Sequence, residues 1–140
     1  MKMKRFAYMM INSIKKNGFK RAEFLRKKNV FSSLGEHCFY QPRYLPPEAE
    51  LIRFGDNVVV AAQVRFITHD AIHYMLRNVS ENDKFPIYYG AIEVGNNVFI
   101  GSNTTVLPDT KIDDNVIIGA GSLVRGRITE GVWGGCQLKK

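Results

Sequence analysis

The sequence from Val94 to Val124 reads VGNNVFIGSNTTVLPDTKIDDNVIIGAGSLV, and this stretch decides the fold. An aliphatic residue returns at every sixth position: Val94, Ile100, Val106, Ile112, Ile118 and Val124. Six residues turn an α-helix through about 600°, so these side chains would spread around a helix instead of forming one face. A period of six therefore excludes a helix and indicates a solenoid, in which stacked coils bury the repeated residues as a ladder.

The residues between the aliphatic positions supply the corners of such a coil. Glycine directly follows three of the aliphatic residues, at Gly95, Gly101 and Gly119. Residues that tolerate left-handed or turn backbone stand two places further on: Asn97, Asn103, Asp109, Asn115 and Gly121. Each unit is thus predicted to be a short strand followed by a corner, in a parallel β-solenoid.

The same pattern occurs earlier in the chain, but out of phase. Its aliphatic or aromatic positions are Phe54, Val60 and Phe66, its corner positions are Asn57, Gln63 and His69, and Leu34-Gly35 opens a still earlier turn. Because Phe66 and Val94 are not separated by a multiple of six, we predict an extruded loop over roughly residues 71–91. The proline-rich segment 41–47 is predicted to be a rigid joint between the N-terminal segment and the solenoid.

The N-terminal segment is strongly basic. Residues 1–29 contain ten Lys and Arg residues against Glu23 alone, whereas the whole chain has a formal net charge of +7. Apolar residues at helical spacing, interrupted at Asn17-Gly18, predict two short amphipathic helices packed on the main domain with solvated lysines. A weak contact with a membrane surface is the alternative that the charge favours next, and nucleic-acid binding is not expected.

The composition restricts the class of protein. A chain of 140 residues with 45% hydrophobic residues is one globular domain, long enough to form a core without a disulfide or a metal. The two cysteines, Cys38 and Cys136, form no metal-binding motif. With no apolar run of about 20 residues and no signal peptide, the expected location is the reducing cytoplasm.

The repeats resemble those of the hexapeptide-repeat acyltransferases. The run from Ile100-Gly101-Ser102 to Ile118-Gly119-Ala120-Gly121-Ser122 is similar to the maltose, galactoside and capsular-polysaccharide O-acetyltransferases. The resemblance covers residues 34–140 and implies an all-β, left-handed parallel β-helix there. Residues 1–33 are the basic helical segment predicted above. It also implies a homotrimer with active sites between neighbouring subunits, and acetyl-CoA as the donor.

The resemblance assigns the catalytic base to His69, at the end of a coil and just before the extruded loop. A neutral imidazole there would take the proton of a sugar hydroxyl as its oxygen attacks the thioester. We expect direct transfer, because no nucleophile stands beside a base in the sequence. His73 and Asp70 are the candidate acceptor-binding residues, although an extended chain would point Asp70 away from His69. What orients His69 stays open, with a backbone carbonyl as one candidate, and His37 has no motif support.

The resemblance places the donor along a second set of residues. Ser102 would lie near the thioester and its developing oxyanion, and the small residues Gly119 and Ala120 would let backbone amides approach the pantetheine arm. Arg125 and Lys139 are candidates for the coenzyme phosphates. The family's usual Thr-Lys pair is replaced by Arg125-Gly126, and Gln137 stands where the terminal motif has proline.

We therefore predict an acetyl-CoA-dependent O-acetyltransferase acting on a sugar or glycan hydroxyl, without a bound metal. An N-acetyltransferase for amino or nucleotide sugars would use the same base and donor. A catalytically silent trimeric scaffold is a further alternative. A γ-class carbonic anhydrase is disfavoured, because His69 and His73 flank the start of a loop rather than stand on regular coils.

Overall fold

The computed structural model describes residues 2–80 and 84–134, which form three helices and three parallel β-sheets. The helices are α1 (Lys2–Ile14), α2 (Gly18–Lys27) and α3 (Ile72–Ser80), and a 3₁₀ turn spans Ala49–Leu51. The strands are β1 (Ser33–Leu34), β2 (Phe39–Tyr40), β3 (Ile52–Phe54), β4 (Val58–Val60), β5 (Arg65–Phe66), β6 (Ile92–Val94), β7 (Val98–Ile100), β8 (Thr105–Val106), β9 (Lys111–Ile112), β10 (Val116–Ile118), β11 (Leu123–Val124), β12 (Arg127–Ile128) and β13 (Gly131–Trp133).

Successive strands lie on successive sheets, so the chain winds around a three-sided prism. Face A has the strand order β1-β3-β6-β9-β12, face B has β2-β4-β7-β10-β13, and face C has β5-β8-β11. All the strand pairs between these coils are parallel, as the sequence period predicted. Val98 on face B pairs with Val116, the residue that stands three six-residue units further along the chain. Three such units therefore make one regular coil.

The predicted ladder forms the core of the prism. The six aliphatic residues from Val94 to Val124 are each at most 3% exposed, and Phe54, Val60 and Phe66 are buried above them. Aromatic rings fill the first coils, where Phe54 packs edge-to-face against Phe31 at 5.0 Å and against Phe66 at 5.3 Å. Burial of this continuous column holds the coils together, since each coil alone would expose both of its ends.

The corners confirm the predicted left-handed backbone at all but one position. Positive φ angles between 55° and 70° occur at the predicted corner residues Asn57, Gln63, Asn97, Asn103, Asp109, Asn115 and Gly121. His69 was predicted to occupy a corner and does not have a positive φ; it pairs instead with Tyr89 in an antiparallel bridge. His37 has φ 56° and takes the corner of the first coil.

The extruded segment comprises residues 70–89. Val58 pairs with Val98, whereas Val98 pairs with Val116, so the coil that contains this segment is more than twice as long as a regular one. The prediction of an extrusion is confirmed, but the segment is not irregular throughout, because α3 occupies Ile72–Ser80. The six-residue criterion detects where the solenoid stops, and it carries no information about a helix outside it.

The two N-terminal helices pack on the first coil. Leu25 and Ala22 of α2 are buried in the core, and Asn17 caps α2 by accepting a hydrogen bond from the Lys20 amide at 3.0 Å. The Arg21 guanidinium, 2% exposed, donates to the backbone carbonyls of Asn12, Lys15 and Gln41. It thereby ties the end of α1 to the first coil.

The proline-rich segment 41–47 lies within the first coil. Strands β1 and β2 precede it, so the expectation of a joint ahead of the solenoid was wrong. None of the described helices is long and apolar enough to cross a membrane.

Candidate active site

The side chains of His69, Glu48 and Thr68 meet where face C ends. Nδ1 of His69 lies 2.8 Å from Oε2 of Glu48, and the Thr68 hydroxyl donates to the same oxygen at 2.6 Å. Glu48 stands just before the 3₁₀ turn, which brings the first coil back toward face A. A carboxylate accepts only, so the proton between the two residues belongs to Nδ1, and Nε2 is left with its lone pair as a proton acceptor.

Both ends of the extruded segment lie next to His69. His69 and Tyr89 form the antiparallel bridge, their rings are 5.6 Å apart, and the Gly90 amide donates to the Thr68 carbonyl at 2.8 Å. The segment therefore leaves and re-enters the prism beside the imidazole. The His69 side chain stays about one-third exposed, at 35%, and so is open to a substrate.

A second contact fixes the returning end of the segment. The Tyr88 hydroxyl donates to the Asp109 carboxylate, and this hydrogen bond raises the pKa of Tyr88. Asp109 occupies a corner of the coil below. The strand returning to the prism is thus held at two neighbouring residues, Tyr88 and Tyr89.

A groove of about 1060 Å³ runs along face C and ends at His69. Its floor includes Arg65, Ile67 and Thr105 from the outer side of face C, and its wall is formed by the proline-rich segment, with Arg43 and Tyr44. Because Leu34 pairs with Phe54, the first coil is slightly longer than three six-residue units, and the additional length bulges outward at this wall. The groove is large enough for a ligand of the size that protein pockets commonly bind.

Two of the predicted acceptor-binding residues do not line this groove. Oδ1 of Asp70 accepts a hydrogen bond from the Ile72 amide at 3.0 Å, so this carboxylate caps α3. His73 is only 5% exposed and its ring lies 4.0 Å from that of Tyr74. Within the described residues its Nδ1 atom has no hydrogen-bond partner.

Three of the predicted donor residues, Ser102, Gly119 and Ala120, lie at the opposite end of face C from His69. Ala62, Ser102 and Ala120 are stacked at the corner between faces B and C, where the Asn103 amide bonds to the Ala62 carbonyl and the Gly121 amide to that of Ser102. Ala62 and Asn103 line the groove there. The width of face C separates this corner from His69, so a single chain does not bring Ser102 beside His69.

The small residues at this corner have different reasons to be small. A Cβ on Gly101 would lie 2.4 Å from the Ala120 amide nitrogen, so close packing of the coils requires glycine there. A Cβ on Gly119 would lie 3.4 Å from its nearest neighbours, which is ordinary van der Waals contact. A Cβ on Gly121 would meet open space, but the φ of 70° at this residue favours glycine. Ala120 itself is exposed, which leaves its surface open to a ligand.

The two predicted phosphate-binding cations are placed differently. Arg125 follows β11 at the end of face C and is exposed to solvent. Lys139 lies outside the described residues. Over residues 2–80 and 84–134 no three His, Cys, Asp or Glu side chains are grouped as a metal site would require.

Glu48 is the functional candidate that the sequence did not reveal. It stands 21 residues before His69 and belongs to no recognisable motif. Only the closure of the first coil brings it to the imidazole.

The sequence is similar to known bacterial transferases. The profile of the bacterial transferase hexapeptide (six repeats) matches residues 91–126. Galactoside O-acetyltransferase of Escherichia coli K12 is 42% identical over 74 residues, which cover 52% of this chain and 34% of that protein. Galactoside O-acetyltransferase of Lactococcus lactis is 30% identical over 122 residues, covering 75% and 59%. The chain thus spans less than two-thirds of the length of these relatives.

The fold is shared with solved acetyltransferases of this type. The hexapeptide-repeat containing acetyltransferase of Vibrio cholerae superposes with a TM-score of 0.69 at 17% identity, over 95% of this chain and 84% of that one. The same Vibrio protein has also been solved in complex with acetyl-CoA. These matches confirm the left-handed parallel β-helix. By its repeats and by its fold, this chain is a left-handed parallel β-helix built from hexapeptide repeats and is similar to the hexapeptide-repeat acetyltransferases.

Proposed function

We propose that this chain is the subunit of an acetyltransferase that moves an acetyl group from acetyl-CoA to a sugar or glycan hydroxyl. The observation that carries the proposal is the contact between His69 Nδ1 and Glu48 Oε2 at 2.8 Å, beside a groove on the prism. Relatives named galactoside O-acetyltransferase and a structural neighbour solved with acetyl-CoA support the same reaction.

His69 acts as the general base in this mechanism. With its Nδ1 proton held by Glu48, His69 uses Nε2 to accept the proton of the acceptor hydroxyl while that oxygen attacks the thioester carbonyl. The tetrahedral intermediate then collapses, the C–S bond breaks, and the thiolate of coenzyme A leaves and takes up the proton from the imidazolium. Ser102 and the amides of its corner are the proposed donors to the oxyanion.

Transfer is direct, without an acetylated enzyme. Cys38 is 6% exposed, its thiol donates to backbone carbonyls, and burial raises the pKa of this thiol, so it is a poor nucleophile. Cys38 does not line the groove. A ternary complex of the protein, the donor and the acceptor is therefore the mechanism that these residues support.

The outer side of face B favours assembly into a trimer. The outward residues of its five strands form one continuous ladder: Phe39, Val59, Phe99, Ile117 and Val132. The last three are 40%, 49% and 78% exposed. Face A instead carries Arg53, Glu93, Lys111 and Arg127 at the equivalent positions. Phe39 packs against Phe19 of α2 at 5.0 Å, so the uncovered part of the ladder runs from Phe99 to Val132. An exposed apolar patch of this kind is typical of a surface that another subunit covers.

A trimer packed through face B would complete the site. Ser102 and Ala120 border face B, whereas His69 stands at the far end of face C, so a neighbouring subunit can bring its Ser102 corner to this His69. The two halves of the site then come from different chains. This accounts for their separation within one chain.

Shared sites can be tested by mixing inactive variants. His69→Ala removes the base, and Ala120→Trp fills the exposed corner where the donor is proposed to lie. Trimers co-expressed from equal amounts of the two chains should recover about a quarter of wild-type activity, because one in four interfaces pairs an intact His69 with an intact corner. No recovery in mixed trimers, or a monomer by light scattering, would refute the shared site.

The reaction itself is tested by release of free thiol from acetyl-CoA in the presence of sugars, nucleotide sugars and amines. We expect turnover with a hydroxyl acceptor, and preference for an amine would assign the N-acetyltransferase alternative.

His69→Ala should lower kcat by at least about 10²-fold with little change in donor affinity. Ser102→Ala should lower kcat less than His69→Ala does, because the backbone amides that would donate to the oxyanion remain.

His37→Asn is the matched control for His69→Ala. His37 is an exposed corner histidine with φ 56°, and asparagine keeps that conformation at little cost. The activity of His37→Asn should equal that of the wild type.

Binding of acetyl-CoA by the wild-type protein without turnover on any acceptor would instead favour a silent scaffold.

A further inference from the structure

The outer side of α1 carries a stripe of large apolar side chains. Phe6, Met10 and Ile14 follow one another at four-residue spacing and are 61%, 53% and 78% exposed. The inner side of the helix is fixed by Arg5, which donates to the Leu45 carbonyl, and by Asn12, which is buried and donates to the Pro42 carbonyl. At about 100° per residue the apolar stripe points directly away from the prism.

Cations accompany this stripe without acidic partners. Lys16 lies in the turn between α1 and α2, and Lys20 lies in the first turn of α2. Both are exposed and form no ion pair within the described residues. Glu23, the single acidic residue among residues 1–29, is paired with Lys27 at 2.6 Å. The exposed Phe19, at 60%, lies between the two lysines in sequence.

We propose that this α1 surface, formed by Phe6, Met10, Ile14, Lys16 and Lys20, binds an anionic lipid bilayer. A helix whose apolar side points outward is a convex ridge, which fits a planar interface without any change in the prism. In such an arrangement the helix lies in the plane of the interface, the apolar side chains enter the acyl boundary and the lysines meet the lipid phosphates.

The positive charge of this surface favours an anionic lipid bilayer over a second copy of the chain as its partner. Two copies meeting through this surface would bring equal positive charges together, which repel one another. An anionic bilayer supplies charge opposite to that of the basic residues 1–29. The proposal concerns residues outside the groove and face B, and it stands independently of the proposed acetyl transfer.

Co-sedimentation with vesicles tests the proposal. We expect the wild-type chain to bind vesicles that contain phosphatidylglycerol at least about tenfold more tightly than vesicles of phosphatidylcholine alone, with weaker binding as the salt concentration rises. Equal binding to the two vesicle types, or no binding to either, would overturn it.

Two sets of variants separate the apolar and the charged contributions. Phe6→Gln, Met10→Gln and Ile14→Gln together should weaken binding to anionic vesicles at least about tenfold, with unchanged helix content, because glutamine favours helices and these side chains are exposed. Lys16→Gln with Lys20→Gln should also lower binding, by about thirtyfold, since each lysine contributes about 1 kcal/mol near such a surface.

The matched charge control lies on face A. Arg53→Gln with Lys111→Gln removes the same charge from a face that also carries Glu93, and lipid binding should be unchanged. An equal loss in this control would show a non-specific charge effect and overturn the proposal. The proposal would also be overturned if the triple glutamine variant kept its lipid binding but had a different oligomer mass by light scattering. That result would assign the apolar stripe to a contact between copies of the chain.

Discussion

Removing the Glu48 carboxylate tests whether this residue positions the catalytic imidazole. Oε2 of Glu48 accepts from both His69 Nδ1, at 2.8 Å, and the Thr68 hydroxyl, at 2.6 Å. A hydrogen bond to a charged group contributes about 1.5–3 kcal/mol. The His69 and Glu48 side chains are 35% and 22% exposed, so water replaces part of that contribution and about 1–2 kcal/mol is a suitable value. Glu48→Ala should therefore lower kcat about 5- to 30-fold.

The conservative variants distinguish position from charge. Glu48→Gln keeps an accepting oxygen at the same reach and should stay within about fivefold of the wild type. Glu48→Asp keeps the charge but is shorter by about 1.5 Å, so it should resemble Glu48→Ala. The assay is thiol release from acetyl-CoA, with kcat and the donor KM determined separately. KM should not change in any of the three, because Glu48 acts through His69 and not on the donor.

Two results would refute this role for Glu48. An unchanged kcat in Glu48→Ala would show that the imidazole is held by other contacts. A loss as large as that in His69→Ala would show that Glu48 acts on the substrate itself. The melting temperature serves as the folding control, because Thr68 is 1% exposed and loses its acceptor in Glu48→Ala.

Three further outcomes follow from the fold. Arg21→Met should lower the free energy of unfolding by about 3 kcal/mol in urea, because the buried guanidinium donates to three backbone carbonyls; a loss below about 1 kcal/mol would contradict this. Asn97→Ala should cost about 1–2 kcal/mol in the same experiment and Asn97→Gly less, since the corner has φ 55°. Tyr88 should ionise above ordinary tyrosines in an ultraviolet titration and Asp109→Asn should lower its pKa, because the hydrogen bond to Asp109 raises it. The stability from this bond is present below the ordinary tyrosine pKa and is lost as the pH rises through the raised value, so Asp109→Asn should abolish that alkaline loss.

The repeat made most of the fold readable from the sequence. Val94 and Ile112 are buried one above the other because the six-residue period places each aliphatic residue at the same point of its coil. Asn97 and Asn115 mark corners because few residues adopt a positive φ at low cost. The phase slip after Phe66 located the extruded segment, and the resemblance to the hexapeptide-repeat acyltransferases then singled out His69 just before it.

The features that the sequence did not reveal depend on contacts between distant residues. Glu48 belongs to no sequence motif, and it reaches His69 because it stands just before the 3₁₀ turn of the first coil. Packing likewise decides that His73 is buried. Asp70 caps α3 through a local hydrogen bond, which the six-residue pattern does not predict because it ends before this residue.

The sequence by itself determined the coil and its corners, because these follow from a local period that each repeat encodes alone, whereas the candidate base was assigned by the resemblance to known acyltransferases. The tertiary structure decided what surrounds that base. Stacking of the coils gathers Phe99 and Ile117 into one apolar face, separates Ser102 from His69 along face C, and places Glu48 against the imidazole. Such neighbours are fixed by how many residues each coil contains before it closes, and that number changes at the proline-rich segment and at the extruded segment.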